Sequence, residues 1–199
     1  MDSKIIIIIC LVAGVSVLAT IVTLNETKSP EEKMMAIIVD KQIERIPPIP
    51  IKIDTQAHNP PPNVDTLESE HSHAGILVKI FGDEFDFSAP AYQIKSPWIH
   101  FESRDGSTIH KHATGVELEY LFNSLSIGLD DQCYIFPDGK QFCTNEEYSL
   151  KYFINEKLVS DIRDYQIMED DKILITFGGE TDEQIEDYLT QLRNQELIK

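Results

Sequence analysis

Residues 97–113, PWIHFESRDGSTIHKHA, carry the reading on which the rest of the chain turns. Arg104-Asp105-Gly106 suits a three-residue hairpin loop, a type I turn closed by glycine in the left-handed conformation. That loop sets Phe101 opposite Ile109, His100 opposite His110, Trp98 opposite His112 and Glu102 opposite Thr108. One face then carries Ile99, Phe101, Ile109 and Lys111. The other carries Trp98, His100, Glu102, Thr108, His110 and His112. A two-residue loop would set His100 against Lys111 and mix the faces. Because a slip of one residue turns every side chain over, the register that keeps the faces distinct is the expected one.

Hairpins flank this one on both sides. Over Gly75 to Phe87, a Gly82-Asp83 turn predicts Ile80 opposite Phe85, Val78 opposite Phe87 and Lys79 opposite Asp86. Over Cys133 to Cys143, Pro137-Asp138-Gly139 is a strong turn signal: proline presets one central angle and glycine supplies the left-handed one. Counting back from Phe136 opposite Lys140 puts Cys133 directly across from Cys143, within disulfide reach. A structural disulfide is the expected state; a metal-binding or redox-active thiol pair is the alternative. No Cys-x-x-Cys is present for the latter.

Thr114-Gly115-Val116-Glu117 has the form of a capping box. Leu118, Leu121, Phe122 and Leu125 follow at helical spacing, with Gly128 placed to end the helix. Further strands are expected at Leu150–Asn155 and Lys172–Phe177, and one more at Tyr165–Met168. A last helix over 181–195 has a Thr-x-x-Gln box, first-turn acids Asp182 and Glu183, and an apolar stripe of Ile185, Tyr188, Leu189 and Leu192. The order predicts an α+β fold over 68–179: antiparallel hairpins with one packing helix, β-grasp-like, followed by a C-terminal helix over 180–199.

Upstream of residue 68 the composition changes. Ile5 to Leu24 is a run of twenty uncharged residues, enough to span a bilayer, with Lys4 before it. A cleaved signal peptide would have a shorter apolar stretch, so residues 1–28 read as a membrane anchor through 5–24, oriented to leave the rest outside the cytoplasm. Cys10 lies within it as an apolar residue. Residues 29–67 read as a stalk. Ser29-Pro30-Glu31-Glu32 starts a short helix to about Arg45, and six prolines between Pro47 and Pro62 favour extended chain. A proline-rich docking segment is the alternative, and His58 there is a solvated residue.

The chain has 199 residues, with 17 Lys+Arg against 34 Asp+Glu and a formal net charge of −17. That charge excludes general nucleic-acid binding and adhesion to anionic lipid heads. At 42 % hydrophobic residues the chain is not disordered throughout, and three cysteines are too few for a disulfide scaffold.

Five of the six histidines fall between residues 71 and 112: His71, His73, His100, His110 and His112. Two pairs are His-x-His, and alternate residues of a strand share a face. The register adds His100 across from His110, with Glu102 as a carboxylate neighbour. Neutral imidazole is the commonest ligand for Zn, Cu, Ni or Fe. The competing readings are solvated residues beside the stalk, a satisfied sheet face shielded by Trp98, and a pH-sensing cluster. No His-Glu-x-x-His, nucleophile elbow, phosphate loop or dinucleotide fingerprint appears.

The pieces HSHAGILVKIFGDEFDFS, YQI, WIHFESRDGSTIHKHATGVELEYLF and LKYFIN…DYQI…DKILITFG, a little over half of the chain, resemble a family of membrane-anchored, His-rich extracytoplasmic proteins of ammonia-oxidising archaea, with bacterial relatives. The resemblance implies metal at His71, His73, His100, His110 and His112. Many relatives would carry a histidine where this chain has Glu102. Some members bear a disulfide-isomerase label. The expectation is a tethered module binding copper or zinc. The alternatives are a metal-dependent or thiol–disulfide enzyme using Cys133 and Cys143, and a structural partner of a membrane-protein complex.

Overall fold

The computed structural model describes residues 60–199. The span expected at 5–24, the helix expected over 30–45 and most of the proline-rich stretch lie outside the described residues. Among the described residues no helix is long and apolar enough to cross a membrane.

The described residues form an α+β domain around a mixed sheet. Its strands are β1 (Ser72–Ile80), β2 (Asp83–Glu84), β3 (Ile99–His100), β4 (Thr108–Lys111), β8 (Ser149–Ile154), β9 (Lys157–Val159) and β10 (Asp171–Gly178). The spatial order is β3-β4-β1-β10-β8-β9, with β2 paired to the end of β1. β1 and β10 lie parallel at the centre, Ile76 opposite Ile173 and Val78 opposite Ile175. Every other pairing in this sheet is antiparallel. A second sheet holds β5 (Gly128–Leu129), β6 (Cys133–Ile135) and β7 (Gln141–Cys143). The helices are α1 (Leu118–Ser124) and α2 (Asp182–Arg193).

β1 is buried along all nine of its residues because both of its faces are covered. Ala74, Ile76, Val78 and Ile80 face the main core, with Ile99, Phe101 and Ile109, the α1 residues Leu118, Leu121 and Phe122, and Tyr134 and Phe142 of the small sheet. Leu77 faces the other way, into a smaller cluster with Leu174, Phe153 and the α2 residues Leu189 and Leu192. α2 has the expected cap, Thr181 Oγ1 accepting from Gln184 N while the Gln184 side chain accepts from Thr181 N.

The 97–113 hairpin has the expected register: Ile99 pairs with Lys111 and His100 with His110, and His112 N donates to Trp98 O at 2.8 Å. Its loop differs. Ser103 and Arg104 take the left-handed conformation, and Asp105 N donates to Glu102 O. Gly106 serves close approach instead. A Cβ there would sit 2.8 Å from the backbone of Phe87.

Three other expectations are corrected. The first hairpin turns at Phe81-Gly82, both with positive φ (53° and 86°), so Ile80 pairs with Asp83 and Lys79 with Glu84 in place of Phe85 and Asp86. Two successive left-handed residues make the turn whose twist matches the strands. They also drop the Phe81 ring among Phe142, Tyr148 and Phe177. Second, the Thr114 capping box does not form. α1 begins after Glu117, and the amides of Leu118 and Glu119 donate to the carbonyls of Tyr165 and Arg163. Gly128 pairs in β5 with Ile135 and does not end the helix, which caps at Leu125. Third, Tyr165–Met168 is not a strand. Its backbone serves α1 at one end, and at the other Met168 N donates to the Asp171 carboxylate.

Cys133 and Cys143 pair directly across β6 and β7 and are joined as a disulfide. Closing so short a loop restricts the unfolded chain by about 2–3 kcal/mol. Replacing both cysteines with Ser is expected to lower the unfolding free energy by about that amount, read from chemical denaturation. Gly106→Ala is expected to lower the melting temperature by several degrees, because the backbone of Phe87 and Ser88 must move to admit the methyl group.

Candidate metal centre

β4 lies between β1 and β3, and the registers on its two sides place His110 opposite both His73 and His100. Opposed residues in an antiparallel sheet project from the same face. These three imidazoles therefore form a row across the sheet, on the face away from Ile99, Phe101 and Ile109. Ser72 opposite Lys111 continues the β1–β4 register, so His71 and His112 meet just beyond the ladder. The five rings close into a circuit. Centroid separations are 4.9 Å for His71–His73, 4.9 Å for His73–His110, 6.1 Å for His110–His100, 4.9 Å for His100–His112 and 4.6 Å for His112–His71.

Two overlapping groups within this circuit have ligand atoms close enough for a shared ion, all within 4.8 Å of one another. One is His71, His73 and His110; the other is Glu68, His71 and His112. His100 lies beside them. Its Nδ1 donates to Ser96 O at 2.7 Å, and its Nε2 meets Glu102 Oε2 at 3.2 Å, so both nitrogens are occupied within the protein. Glu102 reaches His110 Nδ1 only at 3.7 Å. Cys133 and Cys143 belong to the small sheet and contribute to neither group.

The outer contacts orient the rings. Glu169 Oε2 accepts from His73 N at 2.7 Å and lies 3.1 Å from His73 Nδ1. A carboxylate only accepts, so Nδ1 carries the proton and Nε2 keeps the lone pair. His110 is buried, and its Nε2 has no hydrogen-bond partner among the described residues; both nitrogens of His112 are likewise buried and without one. Unpaired buried nitrogens are costly, and a neutral imidazole keeps a lone pair on one of its two nitrogens, so each of these two rings has one to offer to a group that binds lone pairs. Glu68 Oε1 stands 3.8 Å from His112 Nδ1, too far for a hydrogen bond. A tetrahedral ion with bonds of about 2.0–2.2 Å spaces its ligand atoms about 3.4 Å apart, close to that gap. Glu68 itself has φ 68°, a conformation uncommon outside glycine, which turns its side chain toward His112.

The arm carrying Glu68 and His71 is fastened to β4 and the residues after it. Glu68 N donates to His112 O, Asp65 N to Thr114 O and Thr114 N to Ser69 Oγ. Lys111, on the core face of β4, is buried; its ammonium donates to Ile167 O at 2.6 Å and pairs with Glu70 at 2.8 Å. Glu70 also accepts from Ser72 Oγ. At the far side, Lys199 pairs with Glu169 at 2.6 Å.

The sequence put His100, Glu102, His110 and His112 on one hairpin face and His71 with His73 on another strand; the structure brings the two sets of rings together, with His71, His73, His110 and His112 in the two ligand groups and His100 and Glu102 beside them. Sequence reasoning missed Glu68 and Glu169. Glu68 is only three residues before His71, but nothing marks the left-handed turn that aims it. Glu169 is 96 residues from His73, with no local signal at all. Comparison with known proteins found no match to this chain, whether among family models, curated proteins or solved structures.

Burial pushes His110 and His112 below the ordinary imidazole value of 6.5. Neighbouring histidines add to the depression, against the opposing pull of Glu102 on both and of Glu68 on His112. Both rings are therefore neutral at pH 7, as metal ligation requires. Burial raises the Glu169 carboxyl, but the hydrogen bonds from Lys199 and His73 outweigh it and bring it down to about 2. The signs set two windows. The unfolded chain binds protons that folded His110 and His112 refuse, so their contribution is present above about pH 6.5 and is lost as pH falls toward their folded values. The Glu169 contribution is present above 4.5 and is lost as pH falls through about 2. Metal-free protein is thus expected to lose thermal stability in two steps on acidification, and the paired change His110→Gln, His112→Gln is expected to flatten the upper step alone. Melting temperature against pH, in the presence of chelator, measures both.

Proposed function

We propose that this chain is a membrane-tethered extracytoplasmic module that binds a transition metal, copper or zinc. The observation that carries the reading is the closed circuit of five imidazoles in which His110 Nε2 and both His112 nitrogens are buried without partners among the described residues. Imidazole with one carboxylate is a ligand set suited to copper or zinc and foreign to the all-oxygen coordination of calcium or magnesium. Glu169 behind His73 is the kind of outer contact that raises ligand basicity and holds ring orientation.

The tether rests on the uncharged run at 5–24. The Cys133–Cys143 disulfide supports placement outside the cytoplasm, where such bonds persist. Strand order supports the β-grasp reading: two parallel central strands, each flanked by an antiparallel neighbour, with α1 crossing between the halves. The pieces from His71 to Gly178 support kinship with the His-rich archaeal family. Within that reading the domain presents its metal site at the start of the folded region, next to the tether in sequence.

The full chain, purified in detergent without a histidine tag and dialysed in turn against Cu(II) and Zn(II), is expected to retain metal by elemental analysis. His110→Ala with His112→Ala is expected to lose at least tenfold in affinity, with the far-ultraviolet circular dichroism unchanged. Protein that retains neither metal overturns the proposal.

A further inference from the structure

We infer that the histidine circuit is a two-ion site, with His71 bridging the ions as an imidazolate, one ring nitrogen to each. The inference rests on the metal-binding reading above and deepens it.

His71 is the one residue shared by both ligand groups. Its ring lies between the two, 4.9 Å from His73 on one side and 4.6 Å from His112 on the other. Among the described residues no hydrogen bond ties either of its nitrogens, whereas His73 and His100 each have a ring nitrogen held by protein. It is also exposed, unlike His73, His100 and His110, so two ions can reach it from solvent. The remaining ligands divide without overlap: His73 and His110 to one ion, Glu68 and His112 to the other. Each ion then has three protein ligands and room for water.

Charge is the obstacle to two adjacent divalent cations, and the surroundings answer it. Glu68, Glu102 and Glu169 all stand against the circuit. With the imidazolate they bring four negative charges to the ions' four positive ones, the Glu169 charge being shared with Lys199. The proton balance is simple: a neutral His71 gives its N–H proton to water when the second ion takes that nitrogen, and no electron is transferred. Lys111 and Ser72 hold Glu70, which fixes the arm from Glu68 to His71 against β4 and sets the shared ring in place.

The test uses the full chain in detergent, titrated with Cu(II) and followed by elemental analysis and electron paramagnetic resonance. The expected result is two equivalents bound, with the first giving a full signal and the second causing at least a twofold fall in signal per copper through exchange coupling across the ring. His71→Ala is expected to abolish the coupling, and Glu68→Gln to reduce binding to one equivalent. Both residues are exposed, so neither change should disturb the fold. One equivalent bound by the unaltered chain overturns the two-ion inference and leaves metal binding standing. Two equivalents without coupling, or with coupling that survives His71→Ala, overturn the bridge. Zero equivalents overturn the metal-binding reading itself.

Discussion

His110 has a histidine directly opposite it on each side, His73 on β1 and His100 on β3. Everything else at the site depends on that double alignment. Strand neighbours stand about 4.8 Å apart, so three opposed imidazoles come into ring contact with no help from loops. Alternation along β1 and β4 then returns His71 and His112 to the same face one step further on. A shift of one residue in either register would send half of these rings into the core and bring Ile109 or Ile99 out. Core packing is therefore what holds the site's register. Ile99, Phe101 and Ile109 have no exposed surface, and leaving them in water would cost a few kcal/mol each.

Lys111 joins the two sides of this arrangement. It sits on the core face among apolar neighbours, where an ammonium is tolerated only if paired. Ile167 O and Glu70 supply the partners. The same contact that makes the lysine tolerable ties down the chain segment from Glu68 to His71. The arm is thus held by the demand of a buried cation, with backbone bonds from Asp65 and Glu68 completing the seam.

Much of this was legible in sequence because it followed from period-two alternation and strong turns. The 97–113 register, the Cys133–Cys143 pairing and the stripe and cap of α2 are local patterns, and they stand as expected. What was not legible was long-range. GILVKIF reads as half of a hairpin with one wet face, yet it is the central strand, paired for seven residues with β10 almost a hundred positions away. Thr114 looked like a cap, but the backbone at Arg163 and Tyr165 reached the α1 amides first. Gly106 was expected for its left-handed freedom and is needed for its lack of a side chain. At the site, the histidines announced themselves by spacing. So did Glu102, but Glu169 and Glu68 did not, because Glu169 arrives through the tertiary fold and Glu68 through an unusual backbone angle.

The arm that carries Glu68 and His71 follows directly on the proline-rich stretch, and this gives the domain a mechanical asymmetry. Tension entering through residue 60 loads the bonds in series, from Asp65–Thr114 to Glu68–His112 and the Glu70–Lys111 pair, before it reaches the ladder of β1. Those few contacts peel one at a time. The parallel β1–β10 pairing behind them must shear all at once. Pulling would strip Glu68 and His71 from the circuit while His73, His110 and His100 stayed in the sheet. Glu68 and His71 are held by a handful of separate contacts, and His73, His110 and His100 by the sheet ladder.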